Sequence, residues 1–393
     1  MAGRSKVKYV LTDEDWKRLL PLTYFRPISF LRVGVYTIKE LWEQALGTQV
    51  GILPIDLHKE LFGSANVDEQ TILIDSRVVP TEKVFEAIRG LKQNEQLVSK
   101  DGIVVAKWGE PTTTKEIDEA LIIRHPADLI RYLPELITLG NWKDSFKPLE
   151  QTDLCPTIFG SVDNIYVGEN VRIDPCFIDT SSGPVIIDDH AHIMQGAMIS
   201  GPVYIGPHSV IKMGAKIYGP VALGPYCKVG GEVSHTIFQG YSNKAHDGFI
   251  GHAFISEWVN IGADTNNSNL KNTYGPVKMW DYVEKRFVDT GMQFLGLVMG
   301  DHAKAGINTM FNTGTVVGVS ANVFGAGFPR TFIPSFAWGG AQGFTTYNVD
   351  RALDTARRMM ARRKVDLTPE YEQLFRKVFE LSQWERWWEN KSK

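Results

Sequence analysis

The stretch richest in groups able to do chemistry is NKAHDGFIGHAFISEWVNIGADTNNSNLKNTYGPVKMW, residues 243–280, which holds two of the nine histidines, His246 and His252, among asparagines and lysines. An imidazole titrates near neutral pH, so it can move a proton or ligate a metal. A histidine in a polar loop can equally be a hydrogen-bonded structural group, so the surrounding pattern has to decide. The three cysteines, Cys155, Cys176 and Cys227, lie far apart without C-x-x-C or Cys/His ligand spacing. They read as reduced, mostly buried thiols, with neither a disulfide framework nor a zinc ribbon.

What positions this stretch is a six-residue repeat. From Ile187 the chain runs IDDHAH, IMQGAM, ISGPVY, IGPHSV, IKMGAK, IYGPVA, LGPYCK and VGGEVS, each step opened by an aliphatic residue. The openers are too sparse for a helix face and too widely spaced for strand alternation. They fit a coil in which three steps make one triangular turn, with each opener pointing inward and stacking on the residue eighteen positions later. Gly206, Gly214, Gly219, Gly224 and Gly230 are expected to supply corner dihedrals. The frame also fits Val167 and Ile173, then Ile255 and Ile261, then Met299, Ala305, Phe311, Val317 and Val323. Segments near 179–186, 231–248 and 265–294 interrupt it and are expected to form outward loops.

The expected architecture is mainly β: a parallel β-helix of hexapeptide repeats over 161–330, a small α/β domain over 1–140, a connector over 141–160 and a helical extension over 331–393. In the extension, Val349, Leu353, Ala356 and Met360 share one helical face opposite an arginine-rich one, and Thr368-Pro369 opens a second helix carrying Leu374, Phe375, Val378, Leu381 and Trp384. The arginines are expected to be solvated, the alternative being that they meet the phosphates of a nucleotide cofactor. A net charge of −3 argues against a nucleic-acid surface. No apolar run approaches a membrane span and the first twenty residues are too charged for a signal peptide, so the expected compartment is the cytoplasm.

The 243–280 stretch resembles the acetyltransferase half of the bifunctional glucosamine-1-phosphate acetyltransferase / N-acetylglucosamine-1-phosphate uridylyltransferase family, especially its archaeal and alternative bacterial branches. The shared pattern is N-x-A-H, an aromatic, Gly, an aliphatic strand, V-N-x-G-A-x-T and a later N-L, and the likeness covers about residues 158–330. It implies a left-handed β-helix, a homotrimer, acetyl-CoA as acyl donor and an amino-sugar 1-phosphate as acceptor. His246 then stands at the general base, an effect worth about 10²- to 10⁴-fold in rate. Asn260 and Asn269 match residues that hold sugar hydroxyls, and Lys212 and Lys278 match cations for the acceptor and its phosphate. Gly262, Ala263 and Ala305 fall along the acyl donor, with N–H groups near Gly262 and Ala263 facing the oxyanion. Two positions depart from the pattern: Phe249 replaces a tyrosine of the acceptor pocket, and Ser234 stands where the family places a phosphate-binding lysine.

Residues 17–34, KRLLPLTYFRPISFLRVG, echo the nucleotidyltransferase signature R-L-x-P-L-T-x-x-x-P-K, with Arg18, Leu19, Pro21, Leu22, Thr23 and Pro27 in place. The glycine-rich loop that should precede it reads TDEDW, whose carboxylates would repel a triphosphate, and Asp75 is the one carboxylate near the expected magnesium position. The domain is therefore expected to be a divergent relative, with magnesium a cofactor only if it is active. The competing readings are sugar-1-phosphate nucleotidyl transfer by this domain, a non-catalytic trimeric scaffold, and zinc held as in the hexapeptide carbonic anhydrases. For zinc, His246 and His252 are spaced one residue too far apart, with His190, His192, His235 and His302 in register. No resident metal is expected.

Overall fold

The structure, a computed structural model, describes residues 7–150 and 156–389. The chain forms two compact units, the first built from residues up to Leu19, Arg26–Leu31 and Tyr36–Arg124, the second from Leu20–Phe25, Arg32–Val35 and His125 onward. Cys155 lies outside the described residues; Cys176 and Cys227 are buried.

The first unit is a mixed sheet of β1 (Lys8–Thr12), β2 (Gly51–Leu53), β3 (Thr71–Asp75), β4 (Glu95–Ser99), β5 (Val104–Trp108) and β6 (Thr113–Ile117) in the order β2-β1-β3-β5-β4-β6. β1 runs parallel to β2 and β3, and β5 antiparallel to β3 and β4. The helix Ile38–Leu46 begins at a reciprocal cap between Thr37 and Glu40 and ends on Gly47 in the left-handed region.

The second unit is a parallel β-helix. Ile187 pairs with Ile205 and Ile205 with Leu223; Ile193 pairs with Ile211 and Ile211 with Val229; Ile199 pairs with Ile217. All eight openers are at most 2% exposed, so the eighteen-residue stacking is the core itself, each buried aliphatic contributing about 1.5–3 kcal/mol. The glycines do other work than expected. Of the five, Gly214 alone has a positive φ; the left-handed positions of one corner are held by His190, His208, Tyr226, Tyr241, Trp258 and His302, φ 51–60°. Their rings form a ladder, with successive centroids 4.5–5.0 Å apart from His190 to Trp258, and stacking offsets the backbone strain of each rung. Gly206, Gly219, Gly224 and Gly230 are small because a neighbouring coil lies against them: a Cβ on Gly224 would sit 2.0 Å from the Gln239 carbonyl oxygen.

The segment 231–248 is not a loop excursion. Glu232–Phe238 is a coil strand paired with Lys216–Leu223 and Phe249–Ile255. The hexapeptide phase is lost because this coil is short: after Val229 the corner has only Gly230 and Gly231, where the coils on either side have Lys212–Ala215 and Ala245–Gly248. The inward column nonetheless continues, Val229 pairing with Lys244. A lysine thus occupies an opener position, 1% exposed. The 265–294 excursion is real and carries an antiparallel hairpin, Lys278–Asp281 with Arg286–Asp289.

The helices Val349–Ala361 and Pro369–Leu381 bury Ala352, Leu353, Ala356, Met360, Leu374, Phe375 and Val378, whereas Leu381 is 50% exposed. They lie on the coil through Phe336, whose ring meets Phe375 and Phe379, and through His302, whose Nε2 is 2.7 Å from Tyr371 Oη. The nucleotidyltransferase-like signature enters this same unit as core: Leu22 and Thr23 are fully buried, Phe25 stacks on Tyr371, and Tyr24 Oη donates to the buried Glu385 Oε1 at 2.6 Å.

Candidate functional site

His246 sits on the corner Ala245–Gly248, directly above the two-residue corner Gly230–Gly231. The two glycines lie close against it, a Cβ on Gly231 falling 2.8 Å from the His246 carbonyl oxygen, and the imidazole is exposed, with no hydrogen bond among the described residues. Lys244 braces the corner from inside: its Nζ donates to the carbonyl oxygens of His246 at 2.6 Å and Asp247 at 3.1 Å. Burial pushes this ammonium down to about 8, with the Asp247 and Asp264 carboxylates pulling the other way.

On one side of the corner opens a cleft of about 760 Å³. His246, Asn260, Gly262 and Ala263, four of the residues picked from sequence, line it together with Lys228, Asn243, Lys304, Ile307, Met359 and three arginines, Arg358, Arg362 and Arg363. Lys228, Asn243, Asn260 and Lys304 follow one another on adjacent rungs. Lys304 Nζ donates to the carbonyls of Trp258 and His302, and burial pushes it down to about 7. Gly262 N–H is spent on Ala305 O at 2.9 Å as part of the coil ladder, while Ala263 N–H makes no hydrogen bond among the described residues. Ala305 itself points into the core, 4% exposed, and is not part of the cleft lining.

On the other side of the corner Phe249 begins the next strand. Its ring and the Asn269 amide converge over Gly251, where a Cβ would lie 2.4 Å from Phe249 Cζ and 2.9 Å from Asn269 Nδ2. Asn269 Nδ2 lies 3.0 Å from His252 Nδ1, and His252 stacks on His235 at 4.3 Å. Burial first, and His235 second, lower His252 to about 4. Ser234 Oγ is 2.7 Å from His235 Nδ1. Lys212 stands under Gly230, outside the cleft lining, and Lys278 is exposed on the hairpin. Among the described residues no three His, Cys, Asp or Glu side chains converge as metal ligands, and His252 is turned toward Asn269 rather than His246.

The arginine-rich helical face was legible in the sequence; that Arg358, Arg362 and Arg363 on it border this cleft was not. Lys228 and Lys304 precede inward positions and carry no motif of their own, and Asn243 was read only as the opening of the N-x-A-H pattern. In the first unit, Arg77 donates to both oxygens of Asp75, at 2.6 Å from Nη2, and bridges to Asp15 at 2.8 Å. The carboxylate nearest a magnesium position is therefore already neutralised. Asp13, in place of the glycine loop, is buried and pushed up to about 7 while accepting from Ile28 N–H.

With this geometry in hand, comparison with known proteins places the first part of the chain. Residues 9–146 match the sugar nucleotidyl transferase family model. A bifunctional sugar-1-phosphate nucleotidylyltransferase/acetyltransferase from Sulfurisphaera tokodaii is 28% identical over 268 residues, 66% of this chain and 62% of the relative. The match therefore spans under two thirds of that relative's length. Among solved structures, a polySia-specific acetyltransferase aligns over 49% of this chain and 87% of its own at 11% identity and TM-score 0.28. An Arabidopsis UDP-N-acetylglucosamine acyltransferase aligns over 54% and 79% at 11% identity and TM-score 0.24. No helix among the described residues is long and apolar enough to cross a membrane.

Proposed function

We propose that the protein is a cytoplasmic, homotrimeric transferase whose β-helix moves an acetyl group from acetyl-CoA to the amine of an amino-sugar 1-phosphate. The amine nitrogen attacks the thioester carbonyl, His246 takes the ammonium proton, the oxyanion forms near Ala263 N–H, and the C–S bond breaks to release the thiol. The observation that carries the reading is the exposed His246 imidazole on a braced corner, with a long cleft on one face and the Phe249–Asn269 pair on the other. A two-sided corner suits a two-substrate transfer. Asn260 and Asn269 would hold hydroxyls, and Lys212 and Lys278 would supply cations if neighbouring protomers bring them near; closed cyclic symmetry allows that. The similarity to the bifunctional relative supports the same reaction class. Thiol release from acetyl-CoA with glucosamine 1-phosphate tests it: His246→Ala should lower kcat about 10²-fold or more, and full-rate turnover by that variant removes His246 as the base.

The match over residues 9–146 favours a second reading, magnesium-dependent nucleotidyl transfer from UTP or dTTP to a sugar 1-phosphate. The Arg77 clamp on Asp75 and the carboxylate-rich 12–15 segment weigh against it. Pyrophosphate release is its assay, and absence of binding of either nucleotide at millimolar concentration dismisses it.

A further inference from the structure

The second unit holds another cleft, of about 530 Å³, that shares no lining residue with the one beside His246. Three segments build it. The excursion hairpin brings Trp280 and Phe287, directly opposite one another in its register; the coil brings Arg330 and Phe332, and the turn after the last helix brings Trp384 and Trp387. Trp280 lies flat on Phe332, centroids 4.3 Å apart, and meets Phe287 edge-on at 5.3 Å. The buried Tyr282 ties the walls together, its ring edge-on to both Phe332 and Trp384. Phe287 and Trp384 are nonetheless 40% and 39% exposed. A core packs such rings away from water; these border a cavity within the range of about 300–1,000 Å³ common to small-molecule sites. Two cations stand beside it without a counter-charge: Arg330 lies over the Trp387 ring at 5.2 Å, and Lys285 Nζ over Trp384 at 4.7 Å. Neither side chain has an ion pair or hydrogen bond among the described residues, although the adjacent Arg286 pairs with Glu284. A guanidinium lying on a ring face keeps its N–H edge free. The carboxylate in the lining, Glu385, is spent elsewhere: Oε1 accepts from Tyr24 Oη at 2.6 Å and Oε2 from Ser335 N–H at 2.7 Å, and burial raises its pKa.

We propose that this cleft binds a nucleotide, its base stacked among the Trp280, Phe287 and Trp384 rings and its phosphate held by Arg330 and Lys285. Every base has π-faces that stack on aromatic side chains, and a phosphate meets the planar fork of arginine two oxygens at a time. The alternatives use less of what is there. An uncharged sugar leaves both cations unanswered and needs polar side chains around its hydroxyls, where this lining offers mainly rings. A purely apolar ligand likewise leaves the charges unused. Inorganic phosphate alone leaves the rings without a partner. The site lies apart from the His246 corner, so the assignment goes beyond acetyl transfer and does not depend on it.

The test is calorimetric titration of the full chain with uridine 5′-monophosphate, adenosine 5′-monophosphate, uridine, UDP-glucose and inorganic phosphate, on wild type, Arg330→Gln, Lys285→Gln and Trp384→Leu. The expected result is saturable binding of at least one monophosphate, tenfold or more tighter than uridine, with that advantage shrinking as salt rises. Arg330→Gln, a change at an exposed side chain, should weaken it at least tenfold, Lys285→Gln by less, and Trp384→Leu at least threefold. UDP-glucose binding tighter than the monophosphates, and lost in the same variants, supports the site and names a nucleotide sugar as its source. Absence of nucleotide binding by the wild type at millimolar concentration overturns the assignment. So does binding that Arg330→Gln and Trp384→Leu both leave unchanged, which locates the nucleotide elsewhere in the chain. Inorganic phosphate binding as tightly as the nucleotides overturns it in favour of a simple anion site. A change of oligomeric state in the variants, with no nucleotide bound by the wild type, overturns it in favour of a contact between copies.

Discussion

Replacing Lys244 by methionine tests the claim that a cation is built into the inward column of the coil. Methionine keeps the length and apolar stem while removing the charge and the three donors. Exposed lysine titrates near 10.5; here burial holds the ammonium at about 8. The folded state therefore binds its proton less tightly than the unfolded chain, and stability gained from losing that proton appears as pH rises from 8 to 10.5. At about 1.4 kcal/mol per pH unit the wild type should gain up to about 3 kcal/mol relative to Lys244→Met across that window. The contribution of Lys304 is common to both proteins and cancels. Urea unfolding of both at intervals from pH 7 to 10.5 gives the difference directly. A second arm reads the corner: without its two charged hydrogen bonds, each worth about 1.5–3 kcal/mol, the His246 loop loses its brace, and kcat should fall tenfold or more with acetyl-CoA KM little changed. A stability difference that stays flat or shrinks with rising pH would refute the argument.

Other outcomes follow from the same geometry. His252, lowered to about 4, stays neutral in the fold while the unfolded chain protonates near 6.5; stability should fall by up to about 3 kcal/mol as pH drops from 6.5 to 4, and His252→Gln should flatten that slope in acid unfolding curves. Gly224→Ala drives a Cβ to 2.0 Å from a carbonyl of the next coil and should cost about 3 kcal/mol or more, whereas Gly214→Ala, with open space but φ +67°, should cost about 1 kcal/mol by the same unfolding assay. Cys227, fully buried and pushed up to about 12, should resist iodoacetamide at pH 8 in the native protein and react once urea unfolds it.

The coil was legible in the sequence because the inward residues recur every eighteen positions and are nearly all aliphatic. Where that recurrence shortens, legibility failed. From Val229 to Lys244 the spacing is fifteen and the second residue is charged, so 231–248 looked like an outward loop. The corner glycines were found but misread, because the sequence does not distinguish a residue that needs positive φ from one that needs an absent Cβ. His246, Asn260 and Ala263 line one cleft, since the rung that carries His246 is followed directly by the one that carries the other two. Lys212 and Lys278 did not join them. The arginine face was visible as a stripe on a helix, yet where a helix docks on a coil depends on Phe336, Phe375 and His302 meeting in three dimensions, information that no local pattern carries.

A stack of nearly identical rungs has a hazard of its own: slid by one full turn, most of its layers still meet acceptable neighbours. The fifteen-residue rung removes that freedom. With an ammonium where the layers on either side offer Val229 and Ile261, and two glycines where those around it have four corner residues, it fits at a single height. The coil thereby acquires a fiducial mark, and the imidazole is mounted on the layer beside it.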